Sequence, residues 1–330
     1  WELFDSLALV HHPRPDGRRL AKYRGFAVSR SALFALVMLA TFLRADGPAD
    51  NLPDKVRRVP PPGIKIPDAD RAQLMTDVAA LGKEIDDLRA ALAAKPELID
   101  LLPDVQVFHK AVHDALKYDE IYDIKEIAAA RRQLQLGLER ARSLREGKGP
   151  WLQASGLVVR GYKSKIDESI QPYGLVVPKS FAEEPTKKRR LDFWAHGRGE
   201  KLTELAFVQQ RLTNPGEFTP PDAFVLHLYG RYCCANKFAG EVDLFEAYAS
   251  ARQRYPIDEN RLVMRGFSMG GAAAWQFAVH YPSFFCAAAP GAGFSETPEF
   301  LKVFQNEVVK PTWYEQKLWG WYDCPPYAVN

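Results

Sequence analysis

The sequence predicts an α/β fold, in which a mostly parallel sheet is flanked by helices and preceded by an N-terminal helical segment. Strand-like and helix-like patterns alternate between residues 191 and 289, and such alternation builds parallel sheets from βαβ units. Upstream, apolar residues recur at helical spacing between residues 74 and 92. Of the 330 residues, 47% are hydrophobic and 26% are charged, an ordinary globular composition that argues against a disordered chain.

Residues 1–45 carry the features of an export signal. The run from Ala32 to Leu43 is almost wholly apolar, yet it falls well short of the roughly 20 residues that a membrane span needs. Arg24 and Arg30 form a basic region before this run, so we expect a signal peptide and an exported protein, periplasmic or secreted. A buried core helix is the alternative. Because the chain begins with Trp1, we expect it to be a fragment or to carry upstream translation.

A proline-rich linker at residues 46–66 leads into a helical region at residues 67–149. The first helix is predicted by an apolar stripe with steps of three and four residues, and Pro96 closes it. The stripe consists of Leu74, Val78, Leu81, Ile85, Leu88 and Leu92. Two further helices are predicted over residues 103–118 and 124–145.

Two histidines in the second predicted helix, His109 and His113, are one helical turn apart. This spacing can hold a metal ion, but no third ligand is recognisable nearby. We therefore interpret them as a solvated or packed pair.

The α/β domain is predicted to occupy residues 150–330. Residues 156–162 and 173–178 have the pattern of an antiparallel hairpin. The alternating part then follows, with strands at 191–195, 224–229, 261–265 and 285–289 and helices at 200–212, 243–255 and 270–280.

The net charge and the cysteine content argue against several classes of partner and site. The net charge of +3, from 44 basic and 41 acidic residues, does not indicate a nucleic-acid or membrane-surface partner. The four cysteines form no C-x-x-C pair and have no histidine at ligand spacing, so we expect no zinc site. Four cysteines are also too few for a disulfide scaffold, although a single bridge stays possible in an exported protein.

A G-x-S-x-G sequence at residues 266–270 lies between a predicted buried strand and a helix that opens with small residues. A turn this sharp strains the backbone of its central residue. The residues two positions away on either side must lack bulk, and Gly266 and Gly270 meet this demand. It lifts the Ser268 hydroxyl to the carboxyl edge of the sheet, so we predict Ser268 as a nucleophile. The N–H of Met269, at the helix N-terminus, is predicted to stabilise an oxyanion. A glycine-rich packing turn is the alternative.

The turn after the strand at residues 191–195 predicts a second oxyanion donor. It begins His196-Gly197-Arg198, and the donor is the N–H of Gly197 or Arg198, with Arg198 favoured. We interpret His196 as an orienting or packing residue, because a base in this position would reverse the expected chain order of the triad. A similar loop at residues 227–231 is a candidate for lining the same pocket.

Four stretches around these turns share a wider pattern: WAHGRG at 194–199, YPIDENRL at 255–262, GFSMGG at 266–271 and YPSFF at 281–285. With them, residues 191–295 resemble the catalytic domain of the prolyl oligopeptidase family and its esterase relatives. The resemblance implies an α/β-hydrolase fold, hydrolysis of an ester or peptide bond through an acyl-serine intermediate, and no cofactor. It does not cover the helical region, and no propeller repeats are recognisable before the α/β domain.

The acid and the base of a catalytic triad are not recognisable after Ser268. In this fold the triad follows the order serine, acid, histidine. The only histidine after Ser268 is His280, which twelve helical positions place ~18 Å away, beyond hydrogen-bond reach. The only aspartate, Asp323, falls in a loop-like stretch. We therefore expect the acid and the base beyond Asn330, the sheet to be truncated before its last strands, and this fragment alone to be inactive.

The sequence thus favours a serine hydrolase that acts on a peptide or ester substrate and resembles prolyl oligopeptidases. One alternative is a carboxylesterase of the feruloyl or acetyl esterase type. The other is a non-catalytic scaffold with a hydrolase fold, in which the helical region binds a partner. The sequence leaves the oligomeric state open.

Overall fold

The computed structural model describes residues 58–329, so the predicted export segment lies outside the described residues. Within this range, no helix is both long and apolar enough to cross a membrane. The described residues all belong to one compact unit, which contains both the helical region and the sheet. The end of the predicted linker packs on that unit, where the N–H groups of Gly63 and Ile64 donate to the carbonyls of Asp119 and Ile121 at 2.8 and 2.7 Å.

Four helices open the described part of the chain: α1 (Asp68–Ala91), α2 (Pro96–Ile99), α3 (Pro103–Lys117) and α4 (Lys125–Arg145). The apolar stripe in the sequence forms the buried face of α1. Helices α1, α3 and α4 pack against one another. The three long helices lie where the sequence predicts them, because burial of the stripe drives their association.

The sheet of residues 58–329 has six strands in the order β1-β2-β4-β3-β5-β6. Strand β1 pairs antiparallel with β2, and β2 pairs antiparallel with β4, whereas β3, β4, β5 and β6 run parallel. This mixed sheet flanked by helices confirms the predicted fold class, the α/β-hydrolase fold. The strands are β1 (Gly156–Lys163), β2 (Ile170–Val177), β3 (Arg189–Ala195), β4 (Ala223–Leu228), β5 (Ile257–Phe267) and β6 (Ala287–Gly291).

The helices that alternate with the strands are α5 (Ser180–Glu183), α6 (Glu204–Thr213), α7 (Ala239–Arg252), α8 (Met269–His280), α9 (Thr297–Phe304) and α10 (Trp313–Gly320). Helices α3 and α6 pack on β1 and β2, and α8 packs on β3, β5 and β6. Strand β5 is longer than its predicted core, because Ile257 also pairs with Arg189 beyond a register irregularity in β3. Helices α9 and α10 are not predicted by the sequence.

A buried ion pair joins the helical region to the sheet. The Asp104 carboxylate on α3 accepts hydrogen bonds from Arg160 Nε at 2.8 Å, Trp151 Nε1 at 2.8 Å and the Gly161 N–H at 2.8 Å. Asp104 and Arg160 are 0% and 2% exposed. Burial opposes the charge of Arg160, yet the adjacent Asp104 raises the pKa of this guanidinium above its ordinary value. The guanidinium therefore stays charged inside the core, and each partner depends on the other.

Removal of this carboxylate is expected to be costly. We expect Asp104→Ala to lower the free energy of unfolding by about 3–5 kcal/mol, because it leaves the buried Arg160 guanidinium uncompensated. The control is Asp87→Ala, which removes the partner of Lys83 in an exposed pair on α1 and should change little. Urea titrations of both variants measure the effect. Equal unfolding midpoints for the two variants would contradict a structural role for Asp104.

Candidate active site

The predicted turn joins the end of β5 to the start of α8. Ser268 is the residue between them, and its backbone has φ 56° and ψ −117°. This region is unfavourable for any residue with a side chain, so surrounding contacts must hold it. The Ser268 N–H donates to the Gly291 carbonyl at 2.8 Å, and the Ser268 carbonyl accepts from the Ala272 N–H at 3.0 Å.

The two predicted glycines allow the helix to approach the sheet. A Cβ atom on Gly270 would lie 1.9 Å from the Ala195 carbonyl oxygen, and one on Gly266 would lie 2.1 Å from the Gly270 oxygen. Real Cβ atoms do not approach backbone this closely. The G-x-S-x-G spacing is therefore a packing requirement of this turn as well as a chemical signature.

A second close contact, between Gly271 and the stretch from Gly291 to Gly293, also holds α8 against the sheet. A Cβ atom on Gly271 would lie 2.2 Å from the Gly291 oxygen, and one on Gly293 would lie 2.1 Å from the Gly271 carbonyl carbon. Neither Gly291 nor Gly293 is predicted from the sequence to have a role. A small-residue stretch directly after a strand is the signal that could have indicated them.

Ser268 and two of its predicted partners line one cavity of about 940 Å³. Ser268 is half-buried. Met269 and Arg198 line the same cavity. No side chain caps the N-terminus of α8 in the described structure, so the first N–H groups of this helix face toward the site without a side-chain acceptor.

The turn after β3 lies directly against Ser268. A Cβ atom on Gly197 would be 3.7 Å from the Ser268 Cβ and 3.5 Å from the Phe267 oxygen. The Arg198 guanidinium donates to Glu200 at 2.6 Å, which directs this side chain along its own loop. The structure thus brings Ser268, Met269, Gly197 and Arg198 together, while their roles in stabilising an oxyanion stay predictions.

Of the residues considered for a triad, His196 and Asp323 are hydrogen-bonded to other groups, and His280 lies far from Ser268 along α8. The ring nitrogens of His196 lie 2.8 Å from the Gly197 oxygen and 3.0 Å from the Tyr229 oxygen, which suits an orienting residue. His280 is at the opposite end of α8 from Ser268, and burial lowers the pKa of its imidazole. The Asp323 carboxylate accepts from the N–H and hydroxyl of Thr297 at 2.9 and 2.7 Å, at the start of α9.

The loop after β4 forms one wall of the cavity, and its backbone is unusual. Six residues between 230 and 238 have positive φ, and only one of them is glycine. They are Gly230, Arg231, Tyr232, Ala235, Asn236 and Phe238. Arg231 anchors the loop by donating to Asp167 at 2.6 Å and to Asp243 at 3.0 Å. Arg231 also lines the cavity, as the sequence suggests for this loop, together with Cys233, Cys234 and Lys237.

Aromatic side chains form a second wall of the cavity. The rings of Phe294 and Phe300 are stacked with centroids 4.2 Å apart, and Phe304 follows at 5.9 Å from Phe300. All three line the cavity. Phe300 and Phe304 lie on α9, a helix that is not predicted from the sequence. Only the structure reveals this wall.

Comparison with known proteins supports the resemblance that the sequence motifs carry. Residues 236–328 match the model of the Prolyl oligopeptidase family. The match includes the end of the cavity loop, the turn at Ser268 and the aromatic wall, and it supports a serine hydrolase in general. No curated protein matches the chain.

Several solved hydrolase structures are similar at low identity. A ferulic acid esterase is 20% identical, with 44% of this chain and 62% of that one covered and a TM-score of 0.32. FphF, a fluorophosphonate-binding serine hydrolase of Staphylococcus aureus, is 17% identical, with coverage of 50% and 66% and a TM-score of 0.34. An acylaminoacyl peptidase is 14% identical, with coverage of 53% and 30% and a TM-score of 0.38. The chain thus spans less than two thirds of each of these proteins.

Within the described residues, no group of three or more His, Cys, Asp or Glu side chains is placed to hold a metal ion. The rings of His109 and His113 stack on each other with centroids 5.6 Å apart. This arrangement agrees with a packed pair.

A methyl group at the turn is expected to disrupt it. We expect Gly270→Ala to lower the free energy of unfolding by about 3 kcal/mol, because the new Cβ would overlap the Ala195 carbonyl. Gly320→Ala is the control, since a Cβ there meets nothing within 4 Å. Thermal unfolding followed by circular dichroism compares the two variants. A Gly270→Ala protein as stable as the control would argue against the close approach of α8 to β3.

Proposed function

We propose that this chain carries the nucleophile and oxyanion site of a serine hydrolase that cleaves an ester or peptide bond through an acyl-serine intermediate. The observation that supports the proposal most is the backbone of Ser268, which is held at positive φ between β5 and α8 with its side chain on a cavity. A strained non-glycine residue at such a turn indicates a functional constraint, because packing alone would be served better by glycine.

In the proposed reaction, Ser268 Oγ attacks the carbonyl carbon of the substrate while its proton passes to a general base. The carbonyl oxygen becomes an oxyanion and accepts hydrogen bonds from the N–H of Met269 and from that of Arg198 or Gly197. The intermediate then collapses, and the alcohol or amine leaves with a proton. Water attacks the acyl-serine in the second step and releases the acid. No residue within 58–329 is proposed as the general base or as the acid of the triad.

Two substrate classes stay within this proposal. The family match supports a prolyl oligopeptidase-like peptidase, although it covers residues 236–328 only. The aromatic wall of Phe294, Phe300 and Phe304 favours an apolar acyl group, as in a carboxylesterase of the feruloyl or acetyl type. Activity of the full-length protein on p-nitrophenyl acetate and on a peptide with a proline cleavage site separates the classes. Cleavage of the ester without cleavage after proline supports the esterase.

The reactivity of the nucleophile can be tested directly. We expect a fluorophosphonate probe to label the full-length protein, and Ser268→Ala to abolish labelling, since the probe reacts with an activated serine hydroxyl. Ser295→Ala is the matched control, because Ser295 follows the cavity residue Phe294 and should be dispensable. In-gel fluorescence and the mass of the labelled peptide measure the outcome. A folded protein that resists labelling would favour the non-catalytic scaffold.

A further inference from the structure

The cavity beside Ser268 has an unbalanced set of charges. Its lining contains three cationic side chains, Arg198, Arg231 and Lys237. No aspartate or glutamate of the described structure is part of that lining. A cavity of this kind attracts anions, provided that at least one of its cations is not already neutralised.

Both arginines have carboxylate partners outside the cavity. Arg198 pairs with Glu200 at 2.6 Å. Arg231 pairs with Asp167 at 2.6 Å and with Asp243 at 3.0 Å. Their charges are therefore largely compensated, and their role at the cavity is to hold its loops in place.

Lys237 differs from both arginines. Its ammonium lies over the rings of Phe294 and Tyr322, 5.7 and 5.3 Å from their centroids, and no described carboxylate forms an ion pair with it. Asp323 is near enough to attract this charge, but its carboxylate accepts two hydrogen bonds from Thr297. Burial lowers the pKa of the Lys237 ammonium below its ordinary value. Lys237 is thus a half-buried cation that has aromatic neighbours and lacks a direct counter-charge.

A partly desolvated cation is stabilised most by a charge-assisted hydrogen bond to an anion. A single uncompensated ammonium fits a monoanion, and the adjacent Phe294 and Phe300 rings fit an apolar segment. We propose that Lys237 binds a carboxylate carried by the substrate, so that the enzyme prefers esters or amides with a free carboxylate beyond the apolar segment. This inference rests on the proposed function for the reaction, but the binding that it describes does not require turnover.

The test measures binding in a protein that cannot form an acyl-serine. On the Ser268→Ala background, calorimetry compares monobenzyl glutarate, a monoanion, with benzyl methyl glutarate, its neutral diester. We expect the monoanion to bind about tenfold more tightly, as a charge-assisted hydrogen bond implies. The added change Lys237→Met should reduce this preference to about twofold or less, and Lys237→Arg should retain most of it.

The matched control is Lys302→Met, which removes one charge from an exposed lysine on α9 that does not line the cavity, and the preference should persist. Circular dichroism checks that each variant is folded, and Lys237→Gln replaces Lys237→Met if the latter is not. Equal binding of the two ligands, or a preference that survives loss of the Lys237 charge, would overturn the inference. Failure of fluorophosphonate labelling with the preference intact would instead count against hydrolysis and leave the anion site standing.

Discussion

Close contact between α8 and the ends of three strands holds the backbone of Ser268 in its strained conformation. Gly270 lies against β3, while Gly271 lies against the end of β6 and the residue two positions beyond it. Neither contact would tolerate a methyl group. The cavity, the first turn of α8 and the loop after β3 all meet at this point, so their geometry depends on how closely the helix is seated.

The walls of the cavity differ in how they are held. The loop of residues 230–238 has an unfavourable backbone, and ion pairs from Arg231 to Asp167 and Asp243 fasten it to the β1–β2 connection and to α7. The aromatic wall instead depends on ring stacking among Phe294, Phe300 and Phe304. Ion pairs thus hold one wall and ring stacking holds the other, and the Lys237 ammonium of the first wall lies over the Phe294 ring of the second.

Much of this arrangement is predictable from the sequence, for physical reasons that differ between elements. The stripe on α1 and the G-x-S-x-G turn are local patterns, in which periodicity or sharp curvature dictates the residue types. The turn at residues 196–198 is predicted in the same way, from a His-Gly pair after a strand, and its role as an oxyanion donor stays a prediction. By contrast, the contact of Gly271 with Gly293 joins elements whose proximity only the sheet order reveals. Lys237 carries no local signal, because only the fold brings its ammonium over the rings of Phe294 and Tyr322.

The buried Asp104 carboxylate has a consequence for how the protein can be divided. Helix α3 covers β1 and β2, and Asp104 supplies the counter-charge of Arg160 inside the core. A shortened polypeptide beginning at β1 would expose apolar strand surface to water and leave a guanidinium buried without its anion. The helical region is therefore part of the same folding unit as the sheet. A recombinant protein prepared for activity measurements must include it.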